Sequence, residues 1–354
     1  MSTDYKKFID ELVGIVVNES GSDLHLSSGR NPIIRVSGFL IPIVKIPPLT
    51  ETDMHGILDQ IMVPENKQRF FVDKEIDFSY ANAHGRFRGN GFFRQGMPAI
   101  ALRLVPKDIK TLEELNLPPI LENFTRKTQG FFLVVGPVGQ GKSTTLASMI
   151  EVINKDRMEH ILTIEDPIEY MYQPKKSIID QREVRIDTKN FHAALVEMFR
   201  QDINVVLVGE MRGLETMAAA VTAAETGHLV FSTLHTNNAA QTIDRIIDSF
   251  PASQQEQIRV QLAGSLTGIF SQRLVPRISG GLIPAYELLI NNSAVANLIR
   301  EHRTHELNTI IETGSQLGMI DLNRSLAELV RSGEITAENA FRYSLNPKVL
   351  EKLI

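Results

Sequence analysis

The 354-residue chain contains no cysteine and no tryptophan, and neither residues 1–110 nor the remainder is strongly basic overall. Without cysteine there is no disulfide, no thiolate nucleophile and no cysteine zinc site, a composition compatible with a cytoplasmic protein. The net charge of −5 divides into +1 over residues 1–110 and −6 over the remainder. That balance speaks against strong binding to a nucleic-acid backbone, which calls for a basic face or stripe. No apolar run approaches the roughly 20 residues that span a bilayer, and no basic leader with an apolar core opens the chain. The expectation is a globular protein without a transmembrane segment, for which any membrane role is by docking. Its 43% hydrophobic residues suffice for the cores of two or three domains.

Hydrophobic patterning divides the chain. An amphipathic helix in which Phe8, Leu12, Ile15 and Val16 share a face is followed by strand-like NPIIRVSGFLIPI, by GRFRGNGFF at 85–93 and by AIALRLV at 99–105. Residues 1–106 therefore read as a small α+β domain, and KDIKTLEELNLPP, with its double proline, places a hinge over 107–118. Over 119–280 the apolar strands FFLVVG, HILTIED, NVVLVGE and HLVFSTLH alternate with helical patterns. That alternation predicts a parallel sheet covered on both faces. After Gly281 the pattern reads as largely helical through 281–354.

Residues 136–144, GPVGQGKST, follow the apolar run Phe131 to Val135. Their spacing matches the phosphate-cradling loop G-x-x-x-x-G-K-[ST], in which glycines turn successive backbone N–H groups toward one anion. Lys142 would reach the β- and γ-phosphates and Ser143 would hold Mg²⁺. Leu146, Met149, Ile150 and Ile153 then recur at helical spacing, so the loop opens a helix whose positive end faces the phosphates.

Polar residues mark the ends of three later strands, where a parallel α/β sheet presents its ligands. ILTIEDPIEY supplies Glu165, Asp166 and Glu169, whose mutual repulsion a Mg²⁺ ion or an arginine would relieve, unless this is simply a solvated acidic turn. NVVLVGEMR ends in Glu210 and Arg212 and resembles a Walker B strand, whose carboxylate holds the Mg²⁺ shell or polarises water. TGHLVFSTLHTNN places His228 at the start of a strand and His235 at its end, where an imidazole can sense a γ-phosphate. In the first domain Arg86 and Arg88 flank Phe87, and Arg103 lies within an apolar strand, where an unpaired charge is costly to bury. They line either a solvated sheet edge or an anion-facing row of arginine fingers.

Taken together, GSDLHLSSG, GRFRGN, GPVGQGKSTTLA, ILTIEDPIEY, QREV, LVGEMRGLET, TAAETGHLVFSTLHTNNAAQTIDRIID, ANLIRE and GSQLGM resemble the motifs of the secretion ATPases, and among them the PilT-like retraction ATPases of type IV pili. The resemblance implies a homo-hexamer whose subunits join an N-terminal PAS-like α+β domain to a RecA-like ATPase domain with a helical C-terminal region, with ATP held between the two domains. It implies that Gly136, Pro137, Val138, Gly139, Gln140, Gly141, Lys142, Ser143 and Thr144 bind phosphates and that Ser143 and Glu210 attend Mg²⁺. Glu169 is then the base for the attacking water. His228 and His235 fall in the histidine box, and Arg88 and Arg103 approach the nucleotide across the ring. The implied partner is an inner-membrane platform protein, the implied place the inner face of the cytoplasmic membrane, and the implied work pilus withdrawal. An accessory retraction paralogue, a type II secretion ATPase and a RecA-like nucleic-acid translocase are the rival readings. The chain departs from the family in Val138 and Gln140, commonly Thr and Ser, in Asn204 and Gly213, commonly Asp, and in Ala296, commonly Arg. Val295, Leu298 and Ile299 share a helical face, read either as core or as a surface that transmits the nucleotide state. On the second reading, Leu298→Ala leaves the fold intact.

Overall fold

The computed structural model describes residues 4–211 and 213–354. The chain forms two compact units, one of Met1–Asp108 with Pro167–Met171 and one of Ile109–Asp166 with Tyr172–Ile354. The division at Asp108 falls within 107–118.

Among the described residues, the first unit builds a six-stranded sheet from β1 (Asp23–Ser27), β2 (Ile33–Val36), β3 (Phe39–Pro42), β4 (Glu75–Asn82), β5 (Gly85–Arg94) and β6 (Met97–Leu104). Their order is β3-β2-β1-β6-β5-β4, with every pairing antiparallel. Helix Tyr5–Asn18 is capped by the Asp4 carboxylate, which accepts the Lys7 N–H, and helix Glu51–Ile61 by a reciprocal Thr50–Asp53 capping box. Ile9, Leu12, Val13 and Val16 are buried with Leu24, Leu26, Ile57 and Leu102 in one core. Phe8 and Ile15 only flank it, so the buried stripe is turned by about one residue from the face read in the sequence. Strand alternation leaves Asp23, His25 and Ser27 on the other face of β1.

In the second unit β7 (Gly130–Val135), β8 (His160–Glu165), β9 (Ile178–Glu183), β10 (Val205–Val208), β11 (Leu229–Leu234), β12 (Leu266–Pro276) and β13 (Leu282–Ile290) form a sheet. Its order is β13-β12-β7-β11-β10-β8-β9. All pairs are parallel except β12 with β13. Every residue of β7, β10 and β11 is buried, as coverage of both faces demands.

One reading is corrected here and one open alternative is decided. The segment after Gly281 opens not on a helix but on β13, a nine-residue strand whose apolar run LIPAYELLI is decided by pairing with β12, since a short apolar run has no periodicity of its own. Pro284 is tolerated because β13 is an edge strand. Val295, Leu298 and Ile299 of helix Ser293–Arg300 are buried in the main core of the unit, together with Leu262 and Ala263 of the helix Ala252–Ser265. They are core residues. Ala296 is itself only 7% exposed, so an arginine side chain here would meet packed hydrocarbon rather than solvent. Among the described residues no helix is long and apolar enough to cross a membrane.

Candidate active site

Gly136–Ser143 leaves the carboxyl end of β7 and enters helix Lys142–Asp156. Two glycines explain why the loop tolerates no side chain there. Gly136 has a φ of +145°, and a Cβ on it would lie 2.5 Å from the Gln272 carbonyl oxygen; Gly141, with a φ of +77°, forms the helix N-cap. Val138, the first departure from the family, is 80% exposed at the loop tip. Pro137, Gly139, Gln140 and Thr144 complete the loop, and the Ser143 side chain is exposed in the first helical turn.

The strand order puts β11 between β7 and β10, so the carboxyl ends of three adjacent parallel strands bring Lys142, His235 and Glu210 together. Lys142, buried at 7% exposure, donates from Nζ to the carbonyls of Gly136 and Pro137, each at 2.8 Å, and lies 3.2 Å from His235 Nδ1. A lysine ammonium can only donate, which assigns Nδ1 the acceptor role and leaves Nε2 to carry the ring proton when the imidazole is neutral. That nitrogen faces Glu210 Oε2 at 3.8 Å. Lysine, imidazole and carboxylate thus stand in one line across the three strand ends.

The acidic stretch is divided among separate partners. Glu165 is buried at the end of β8 and accepts from Thr163 Oγ1 at 2.7 Å. Asp166 pairs with Arg185 at 3.1 Å. Glu169, within the first unit, pairs with Arg88 at 2.8 Å. Arginines thus pair with two of the three close carboxylates, Asp166 and Glu169, and the Thr163 hydroxyl donates to the third. In the same unit Arg88 and Arg103 are directly opposed cross-strand neighbours, an arrangement of like charges that is unfavourable by itself. Arg103 donates from Nε to Asp23 at 2.8 Å while its side chain stays 72% exposed, so the burial cost feared from the sequence does not arise. Arg86 donates to Ser79 at 3.0 Å.

His228 is corrected. It precedes β11 at the amino end of the strand, next to the start of β7, where its backbone carbonyl accepts the Gly130 N–H. Its Nδ1 is 3.1 Å from the Ala223 carbonyl, and its ring meets Phe199 edge-on. A strand of this length separates it from the P-loop end of the sheet by roughly 20 Å, so within its own chain it is a packing residue. Arg212 lies outside the described residues.

Sequence reasoning missed Asp23 and Arg185 and the buried run Ser271, Gln272 and Arg273 on β12. The signal for the last was available: three polar residues interrupt the apolar run LTGIFSQRLV.

A P-loop with a terminal carboxylate and a histidine on the neighbouring parallel strand ends defines a nucleotide-hydrolysing protein of the P-loop class. The family model described as type II/IV secretion system protein matches residues 4–339. The type IV pilus retraction ATPase PilT of Pseudomonas aeruginosa is 43% identical over 94% of this chain and 96% of its own length. The type IV pilus ATPase PilU of the same organism is 38% identical over 98% and 91%. A crystal structure of the pilus retraction motor PilT with bound ADP superposes with a TM-score of 0.89 at 43% identity, covering 99% of this chain and all of the other. The chain belongs to the type II/IV secretion system family and, within it, to the PilT-like retraction ATPases.

Proposed function

We propose that the chain hydrolyses ATP with Mg²⁺ and, as a homo-hexameric ring docked at the inner face of the cytoplasmic membrane, drives type IV pilus retraction through an inner-membrane platform protein. The observation that carries the reading is the convergence of Lys142, His235 and Glu210 on three adjacent strand ends. In this mechanism the P-loop N–H groups and Lys142 neutralise the phosphates, and His235 holds the lysine and carboxylate in register. Glu210 orients water; Glu169 takes its proton and Arg88, with Arg103, serves a neighbouring copy's nucleotide once the 2.8 Å Arg88–Glu169 pair has parted. The Ser143 hydroxyl and the Glu210 carboxylate are hard oxygen donors of the kind Mg²⁺ takes alongside phosphate oxygens, and the ion supplies charge neutralisation when bound.

The test is phosphate release from Mg-ATP by the purified chain. Lys142→Ala lowers turnover by about 10² to 10³-fold, and Glu210→Gln keeps nucleotide binding while slowing hydrolysis by about 10²-fold. Undiminished turnover in both variants overturns the assignment. Negative-stain images with an ATP analogue test the ring, and pilus withdrawal in a host lacking its own motor tests the work. Failure of that last assay alone favours the accessory-paralogue reading, to which the substitution at Ala296 also points.

A further inference from the structure

Gln140 lies between Gly139 and Gly141, both at positive φ, in a stretch whose backbone is intrinsically free and must be ordered to cradle phosphate. Two contacts from β12 remove that freedom. The Gln140 backbone carbonyl accepts from Gln272 Nε2 at 2.8 Å, and the Gln140 side-chain Oε1 accepts from the Leu274 N–H at 2.7 Å. Gln272 is 3% exposed, and its own Oε1 accepts from Thr145 Oγ1, in the first turns of the P-loop helix, at 2.7 Å. One amide therefore ties the loop to the helix that follows it, and the other ties the loop to the strand.

The intervening residue, Arg273, donates to the backbone carbonyl and Oδ1 of Asn237 at 3.0 and 3.1 Å, and Ser271 Oγ donates to the same carbonyl at 2.9 Å. Asn237 is two residues beyond His235. Consecutive residues of β12 thus fix both loops that meet at the Lys142–His235 contact.

We propose that Gln140 and Gln272 are positioning residues that hold the P-loop in its phosphate-receiving shape and so set ground-state nucleotide affinity. The inference rests on the nucleotide-binding reading above. Ordering the loop in advance lowers the entropy lost when phosphate arrives. Only a side chain of glutamine's length with an acceptor at its end reaches the Leu274 N–H; serine does not.

The experiment measures binding of fluorescent ADP and of an ATP analogue to the full-length chain, alongside steady-state ATP turnover. Gln140→Ser and the equal-length Gln140→Met, which lacks an acceptor, each weaken affinity for both nucleotides by about 3- to 10-fold. Turnover at saturation falls far less than affinity, and the unfolding midpoint without nucleotide stays at the wild-type value. Gln272→Ala has an effect at least as large, and combining it with Gln140→Ser gives less than the product of the two, since both act on one loop. Wild-type affinity in both Gln140 variants overturns the proposal, as does a loss confined to turnover at saturation. Wild-type protein that binds neither nucleotide overturns the nucleotide-binding reading itself; wild-type binding with unaffected variants overturns the clamp alone.

Discussion

Asp23 of the N-terminal sheet and Glu287 of the ATPase sheet expose the same small fraction of their surface, 6% each, but Glu287 lies much deeper, and depth and neighbours together push the two carboxylates in opposite directions. Burial raises Asp23, but hydrogen bonds from Ser22 and Arg103 and the charge of Arg103 together outweigh it and hold the group below its usual range. Burial drives Glu287 up to about 7, with the Ala239 N–H and the Arg273 charge offsetting only part of that and Asp321 adding to it. The antiparallel sheet has one polar face, where Arg35, Asp23, Arg103 and Arg88 occupy successive cross-strand positions, so a carboxylate there finds compensating charge. Glu287 of the ATPase sheet lies beside a cavity that it shares with Asn238, Asn308, Glu312 and Asp321, where a second carboxylate adds to the cost of burial and the Arg273 charge only partly offsets it. The same substitution, carboxylate to amide, should therefore have opposite signs in the two sheets.

The largest expected effect probes the cover of the ATPase sheet. Leu298→Ala removes a core side chain packed in the same cluster as Leu262, Val295 and Ile299, and it should cost about 2–4 kcal/mol. A denaturant midpoint unchanged from wild type would mean that this helix is not part of the cooperative core. Any surface that the helix offers a partner is its polar side, Asn297 and Arg300, which the structure leaves exposed.

Next in size is Glu287→Gln. The folded-state pKa is raised from 4.5 to about 7, so the folded protein binds the extra proton and the carboxyl's contribution is fully present below about pH 4.5. It is lost as pH rises through about 7. The amide keeps an oxygen for the Ala239 N–H, which the carboxylate accepts at 2.7 Å, and cannot ionise. The variant should match wild type near pH 4.5 and exceed it above pH 7 by up to about 3 kcal/mol. Thermal unfolding across that range measures the difference, and a variant less stable than wild type at pH 8 would show that the Arg273 charge outweighs burial.

Much of this was legible in the sequence because strong local patterns and tertiary placement agree. The P-loop, the apolar strands β7, β10 and β11 and the carboxylate and histidine at their ends declare themselves by spacing, since a parallel sheet leaves its strand ends as the place for polar chemistry. In the N-terminal unit β2, β3, β5 and β6 fall in runs that read as strand-like, whereas β1 and β4 do not stand out. What stayed hidden depends on pairing between distant segments. β13 is lost within a segment that reads as largely helical until β12 claims it, and Leu298 stays open between core and surface because three aliphatics at helical spacing look alike whether they face a core or a partner. His228 was drawn to the nucleotide by its motif, although strand direction alone puts it at the wrong end of β11. Arg103 looked costly only because Asp23, eighty residues earlier, is invisible as its partner until the register of β1 with β6 is known.

The smallest effect, and the sharper test of the comparison, is Asp23→Asn. Asp23 receives Ser22 Oγ at 2.7 Å and Arg103 Nε at 2.8 Å, with Arg35 at 3.9 Å. Its folded-state pKa is depressed, so its contribution is present above the unfolded value near 3.9 and is lost as pH falls through the lower folded value. The amide removes the charge but keeps one acceptor, and it leaves the opposed Arg88 and Arg103 with less compensation. Because Arg103 is largely solvated and Arg35 and Arg88 are partly so, the cost at pH 7 should be only about 1 kcal/mol, of opposite sign to that of Glu287→Gln. The gap between variant and wild type should close below about pH 4 and narrow in high salt, which screens exposed charges. Equal stability at pH 7 in low salt would mean that the cross-strand row stabilises nothing, and that the arginines are held in place by the sheet alone.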